Sequence, residues 1–245
     1  MIVPMRATIC VALFWFVTAS PAGWSDSSQS TKLPQRDLEE ILANDNRSPA
    51  GQLRDGVLTI VLEARTGIWY PEEKDGPGLD VQAFAEPGKA LQIPGPLIRV
   101  PEGTEIHATV RNTIPNATLG IHGLHTRPGD PKDTINLAPG STREVRFKAG
   151  SPGTYYYWGS TTGAPDIRER LSAQSQLSGA FIVDPRPAEL GQRSAAGQLP
   201  SDDRVFVIGV WFLMDDPEAK PPRRREVLAI NGRSWPHTEP LAYTV

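Results

Sequence analysis

The sequence predicts an all-β fold, an antiparallel sandwich or barrel of short strands. Three observations predict it. Glycine (22) and proline (24) together approach a fifth of the 245 residues, which favours turns over helices. Several runs alternate apolar and polar residues with a period of two, the repeat that puts successive side chains on opposite faces of a strand. Proline–glycine turn signals, Pro101-Glu102-Gly103, Ala138-Pro139-Gly140 and Ser151-Pro152-Gly153, separate those runs.

The elements follow in order. Arg6, the apolar run Ile9–Thr18 and the small-residue exit Ala19-Ser20-Pro21-Ala22-Gly23 read as a secretory signal peptide over residues 1–25. The run is shorter than the about twenty residues of a permanent membrane span. Residues 26–55 form an N-terminal extension in which Leu38, Ile41 and Leu42 fall at helical spacing and predict a short helix. The main domain runs over 56–185. Its strands are predicted at Val57–Arg65, with Leu58, Ile60, Leu62 and Ala64 on one face; at Glu105–Arg111, with Ile106, Ala108 and Val110 inward; and at Arg143–Ala149, with Val145 and Phe147 inward. Gly153–Trp158 and Leu177–Val183 are further strands, rich in aromatic or β-branched residues. The long Pro/Gly-rich stretch Trp69–Pro96 reads as an ordered loop, and Asp166–Leu171 as one helical turn.

Residues 186–203 are polar and read as a linker. Beyond them, Val205–Met214 is almost unbroken in its hydrophobicity, the pattern of a strand buried on both faces. Val227–Ile230 and Leu241–Val245 look like the next strands. Residues 204–245 hold too few strands to close a sandwich, so they read as the start of a second domain whose remainder is missing.

Charge and residue counts exclude several function classes. A net charge of -3 lacks the basic face of a nucleic-acid binder. The single cysteine, Cys10, lies inside the signal peptide, so the exported chain has no thiolate and no disulfide. The histidines are His107, His122, His125 and His237. His122 and His125 are the candidate metal ligands. Being three residues apart, they point to opposite faces of a regular strand and share a metal only if the chain bends at Gly123. His107 sits on the polar face of its strand and His237 in a Pro-rich turn. Asp130 and Asp133, beside Arg127 and Lys132, read as a solvated charge cluster, and Lys220–Arg225 as a basic hairpin tip. The aromatic run Tyr155–Trp158 reads as packing, with a carbohydrate-binding groove as the functional alternative.

Five segments carry a family resemblance. Ile93–Thr104, Leu119-Gly-Ile-His-Gly-Leu-His125, Gly153-Thr-Tyr-Tyr-Tyr-Trp-Gly-Ser160, Gln176–Asp184 and Ile230-Asn-Gly-Arg-Ser-Trp-Pro236 resemble, in order, motifs of the multicopper oxidases. The resemblance implies an exported, periplasmic or secreted protein. Its fold would be a plastocyanin-like (cupredoxin) Greek-key β-sandwich plus the first strands of a second such domain. It also implies copper as cofactor and oxidoreductase activity in complete members. The family's first motif is His-x-His-Gly; its histidines fall on Gly120 and His122. The second is again His-x-His, and its positions fall on Trp158 and Ser160. One imidazole therefore remains of the expected set, and the others are replaced by groups that make poor copper ligands. A blue-copper centre also needs a Cys thiolate, and the oxygen-reducing cluster takes more imidazoles than are present. By itself the chain is expected to be inactive. Its implied partner is a missing C-terminal half or, through the second domain, another copy. The alternative is a binding or scaffold sandwich that has lost its copper.

Overall fold

The computed structural model describes residues 38–72, 76–128, 134–170, 172–186, 203–216 and 223–238, all within one unit of the chain, Asp37–Val245. The strands are β1 (Leu42–Ala43), β2 (Gln52–Arg54), β3 (Val57–Trp69), β4 (Leu79–Ala85), β5 (Gln92–Ile93), β6 (Gly95–Pro101), β7 (Glu105–Asn112), β8 (Leu119–His122), β9 (Ile135–Leu137), β10 (Thr142–Lys148), β11 (Gly153–Ser160), β12 (Ser178–Asp184), β13 (Ile208–Asp216), β14 (Arg223–Ile230) and β15 (Arg233–Ser234). The first sheet runs β1-β5-β4-β3-β7-β10, with β2 also on β3; the second runs β6-β12-β11-β8-β9; the third is β13-β14-β15. The described residues contain no α-helix, only 3₁₀ turns at Ile167–Glu169 and Ser172–Gln174. No helix among them is long and apolar enough to cross a membrane.

The period-two strands bury the faces their sequences assign. Leu58, Ile60, Leu62 and Ala64 of β3 and Ile106, Ala108 and Val110 of β7 enter one core with Ile98, Leu119, Ile121, Tyr157 and Phe181 of the facing sheet. Each leucine, isoleucine, valine or phenylalanine among them contributes about 1.5–3 kcal/mol when removed from water. Val145 and Phe147 of β10 pack against this core from the sheet edge. Tyr157 is wholly buried, and its hydroxyl donates to the Pro96 carbonyl at 2.7 Å. Gly179 opposite it leaves that room: a Cβ there would lie 2.4 Å from the hydroxyl oxygen.

Three expectations are corrected. The short helix at Leu38–Leu42 is extended chain. The Ile41 N–H donates to the Ile68 carbonyl, the Ile68 N–H to Glu39, and β1 pairs in parallel with β5. An adjacent strand edge offers these residues hydrogen bonds, and only Ile41 is deeply buried, so one apolar anchor suffices. The stretch Trp69–Pro96 is no loop, because β3 extends to Trp69 and β4 and β5 complete the sheet. From Val81 to Ala85 every residue of β4 is buried, so no alternation advertises the strand. Phe84 turns into the main core. Val81, Ala83 and Ala85 turn to a second cluster with Trp69, Leu91, Trp211, Val227 and Ala229. The segment Val205–Met214 is not buried on both faces. Trp211 is 5% exposed, whereas Phe206, Ile208 and Val210 are 43%, 68% and 40% exposed. The third sheet packs through one face only.

Residues 1–37, most of the 186–203 stretch, Asp130, Lys132, Asp133, Lys220–Pro222 and Leu241–Val245 lie outside the described residues.

Candidate functional site

Strands β8 and β11 are antiparallel neighbours in the second sheet, in a register that sets Trp158 opposite His122 and Ser160 opposite Gly120. The four positions of the two motifs are thus a single patch of two cross-strand pairs. Leu119 and Ile121 of β8 and Tyr157 of β11 alternate into the core. The patch therefore occupies the face turned away from it.

Side chains fill this patch. The rings of His122 and Trp158 are stacked, with centroids 3.8 Å apart and planes 9° from parallel. The Arg170 guanidinium lies over the Trp158 ring, 5.4 Å from its centroid, in the range of a cation–π contact. Arg170 is 7% exposed. Its Nη1 donates to the carbonyls of Leu177 (2.8 Å), Gln174 (3.1 Å) and Gly159 (3.5 Å), and its Nε to that of Ile167 (3.2 Å). Burial pushes its pKa down to about 10. Ser160 is also buried; its hydroxyl donates to Gln174 Oε1 at 3.0 Å and accepts the Ala164 N–H at 2.9 Å. Gln174 in turn donates to the Thr162 hydroxyl at 2.7 Å and accepts the Thr161 N–H at 2.8 Å.

His122 Nδ1 lies 3.2 Å from the Thr134 hydroxyl. Burial, and secondarily repulsion from Arg170, lowers the His122 pKa from its ordinary 6.5, so the ring is neutral at pH 7. The unfolded chain then binds the proton more readily than the folded one. The contribution of His122 to stability is complete above pH 6.5 and is lost as pH falls below it toward the lower folded-state value. Urea midpoints should drop between neutral and mildly acidic buffer, and His122→Gln should flatten that part of the profile. An unchanged slope in the variant would assign the acid sensitivity elsewhere.

Gly123 has φ +85°, so the chain does bend between His122 and His125. The turn runs under β11, where a Cβ on Gly123 would lie 2.4 Å from the Tyr156 carbonyl oxygen. His125 is half-buried beyond the turn, and its Nδ1 accepts the Arg127 N–H at 3.2 Å. Neither of the other histidines approaches this patch. His107 Nε2 pairs with Glu105 at 2.7 Å and lowers that carboxyl's pKa, and His237 is exposed. The aromatic run divides as a strand must: Tyr155 and Tyr157 pack toward the core, Trp158 is under Arg170, and Tyr156 is the exposed ring. Arg170 and Gln174 carry no motif or period. The cue in the sequence is that both lie in the short segment leading from the second motif to β12.

The sandwich is of the cupredoxin type found in copper proteins. Residues 88–188 match a family model described as multicopper oxidase. A copper-containing nitrite reductase of Alcaligenes xylosoxydans xylosoxydans is 32% identical over 167 residues, covering 66% of this chain and 46% of that protein. A probable nitrite reductase-hydroxylamine oxidoreductase fusion protein of Kuenenia stuttgartiensis is 32% identical over 143 residues, covering 54% of this chain and 16% of that one. A multicopper oxidase of Campylobacter jejuni, a metallo-oxidase, shares the fold with a TM-score of 0.50 and 18% identity, over 80% of this chain and 40% of that one. The chain thus spans less than half the length of these relatives.

The residues at the patch do not fit a copper ion. Tryptophan offers only a donor, glycine no side chain, and the neutral Ser160 hydroxyl is engaged with Gln174. The single imidazole has its Nδ1 beside the Thr134 hydroxyl at 3.2 Å, and the cross-strand position opposite it is an indole that cannot ligate. Among the described residues, no three of His, Cys, Asp and Glu gather closely enough to hold a metal.

Proposed function

We propose that this chain is an exported, plastocyanin-like domain of a multicopper-oxidase-type protein whose copper position has been rebuilt from protein groups, so that it is not catalytic on its own. The observation that carries this reading is the His122–Trp158 stack capped by Arg170, at the register where the family places imidazoles. A cation, an indole and a neutral imidazole form a packed structural unit there; they supply neither a thiolate nor a convergent set of nitrogens for electron transfer. Copper-dependent oxidoreduction in the complete assembly belongs, on this reading, to a C-terminal half that carries the remaining ligands. Export follows from the apolar run Ile9–Thr18 and its small-residue exit.

The test is metal analysis. The chain is expressed with copper, dialysed against a weak chelator and examined by mass spectrometry and electron paramagnetic resonance. Substoichiometric copper without a blue band is expected. One tight copper per chain, abolished by His122→Ala, would refute the reading.

A further inference from the structure

Strand pairing assigns the open face of the third sheet row by row. Trp211 pairs with Val227 and Gly209 with Ala229, and Trp211, Val227 and Ala229 pack into the second core cluster. The alternate residues therefore point the other way. On that side Ile208 pairs with Ile230, which pairs in turn with Arg233, and Val210 pairs with Leu228. Glu226, two residues before Leu228, is the next residue of the same face along β14. Exposure agrees with this assignment: Ile208 is 68%, Leu228 58% and Val210 40% exposed. Glu226 and Arg233 are exposed as well. Single apolar residues on a surface need no explanation, but adjoining apolar rows across paired strands mark an interaction surface.

The order of charge along this face selects the partner. Arg233 lies in the row of Ile208 and Ile230, at one end; Glu226 lies beyond the row of Val210 and Leu228, at the other. A surface with a cation at one end and a carboxylate at the other complements itself when turned end for end. A two-fold axis running across the strands, level with Val210 and Leu228, sets the Arg233 end of each copy over the Glu226 end of the other. Stacked sheets lie about 10 Å apart, a gap that an arginine and a glutamate bridge together. A two-fold along β14 would instead set Glu226 over its own counterpart, a like-charge contact, so the charges favour the crosswise axis.

We propose that a second copy of this chain covers this face, in an isologous face-to-face contact with Val210 and Leu228 at its centre and Arg233–Glu226 pairs at its two ends. Three strands about 4.8 Å apart make a patch smaller than the about 800 Å² per partner of a standard interface, so the dimer is transient, with a Kd on the order of tens of micromolar. The contact uses neither copper nor the stacked patch, so it stands or falls separately from the reading given above.

Sedimentation equilibrium of the full chain, over a concentration series spanning that Kd, should show a reversible monomer–dimer transition. Leu228→Lys changes an exposed position, keeps the melting temperature and should abolish the dimer. Arg233→Glu and Glu226→Arg should each weaken it by about tenfold. Mixed in equal amounts, these two single variants should pair more tightly than either does alone, because every end then meets its opposite charge; the double variant should regain the original affinity. A chain that stays monomeric throughout would leave the face to a different polypeptide and overturn the proposal. So would a dimer unmoved by folded Leu228→Lys, which would place the contact elsewhere, or a mixture no tighter than its components.

Discussion

Placing histidine at Gly120, Trp158 and Ser160 together is expected to give the chain at least about a hundredfold tighter copper binding, since imidazoles rank among the best ligands for copper. The register supplies the geometry: the new residues and His122 form two cross-strand pairs on one face. Trp158→His puts a second imidazole directly opposite His122 across the strand pair. A Cβ on Gly120 would lie 3.3 Å from Asn136 Oδ1 and 3.5 Å from Thr134 Cγ2, so the Asn136 side chain must shift slightly to admit it. Ser160 is the demanding site, because it is 1% exposed and bonded to Gln174. The double variant Gly120→His/Trp158→His therefore serves as the gentler control. Competition titration and electron paramagnetic resonance read the outcome, and adding His122→Ala should reverse the gain. A folded triple variant with wild-type affinity would mean that these four positions do not converge on a metal.

Arg170→Met is expected to cost about 3 kcal/mol, the order of losing several charge-assisted hydrogen bonds and leaving their acceptors buried. The guanidinium ties the carbonyls of Ile167, Gln174 and Leu177 into one corner and covers Trp158. Methionine fills much of the volume but can donate none of those bonds. The loss is tempered by the desolvation that the buried cation already suffers, visible in its pKa of about 10. For a chain of this length the melting temperature should fall by roughly 6–12 °C. Arg168→Met is the contrast, since that side chain is 86% exposed and pairs only locally with Asp166. It should leave the transition where it is. A wild-type melting curve for Arg170→Met would show that backbone groups in the 3₁₀ segment are satisfied without it.

The strands with one buried face were legible because alternation is a local signal. Val57–Arg65 and Glu105–Arg111 needed nothing but their own sequence, and the buried faces are the ones their period assigns. β4 was not legible, because Val81–Ala85 is buried on both sides and alanines stand where larger residues would mark a strand. Leu38–Leu42 misled for the opposite reason: three apolar residues at helical spacing carry little information when a neighbouring edge offers the backbone its bonds. At the patch, the resemblance to the multicopper oxidases named Gly120, His122, Trp158 and Ser160. It said nothing of Arg170 or Gln174, whose roles arise from where the chain returns after β11.

The sequence by itself determined an all-β sandwich, through its short-range period, and its motifs carried a resemblance to the multicopper oxidases that sets one imidazole among Gly120, His122, Trp158 and Ser160. Only the tertiary structure decided that Trp158 lies flat on His122 under a buried guanidinium, and that one face of the third sheet is open while Trp211 is enclosed. Those facts depend on strand register and on which surfaces meet, and contacts between residues distant along the chain leave no local periodic trace.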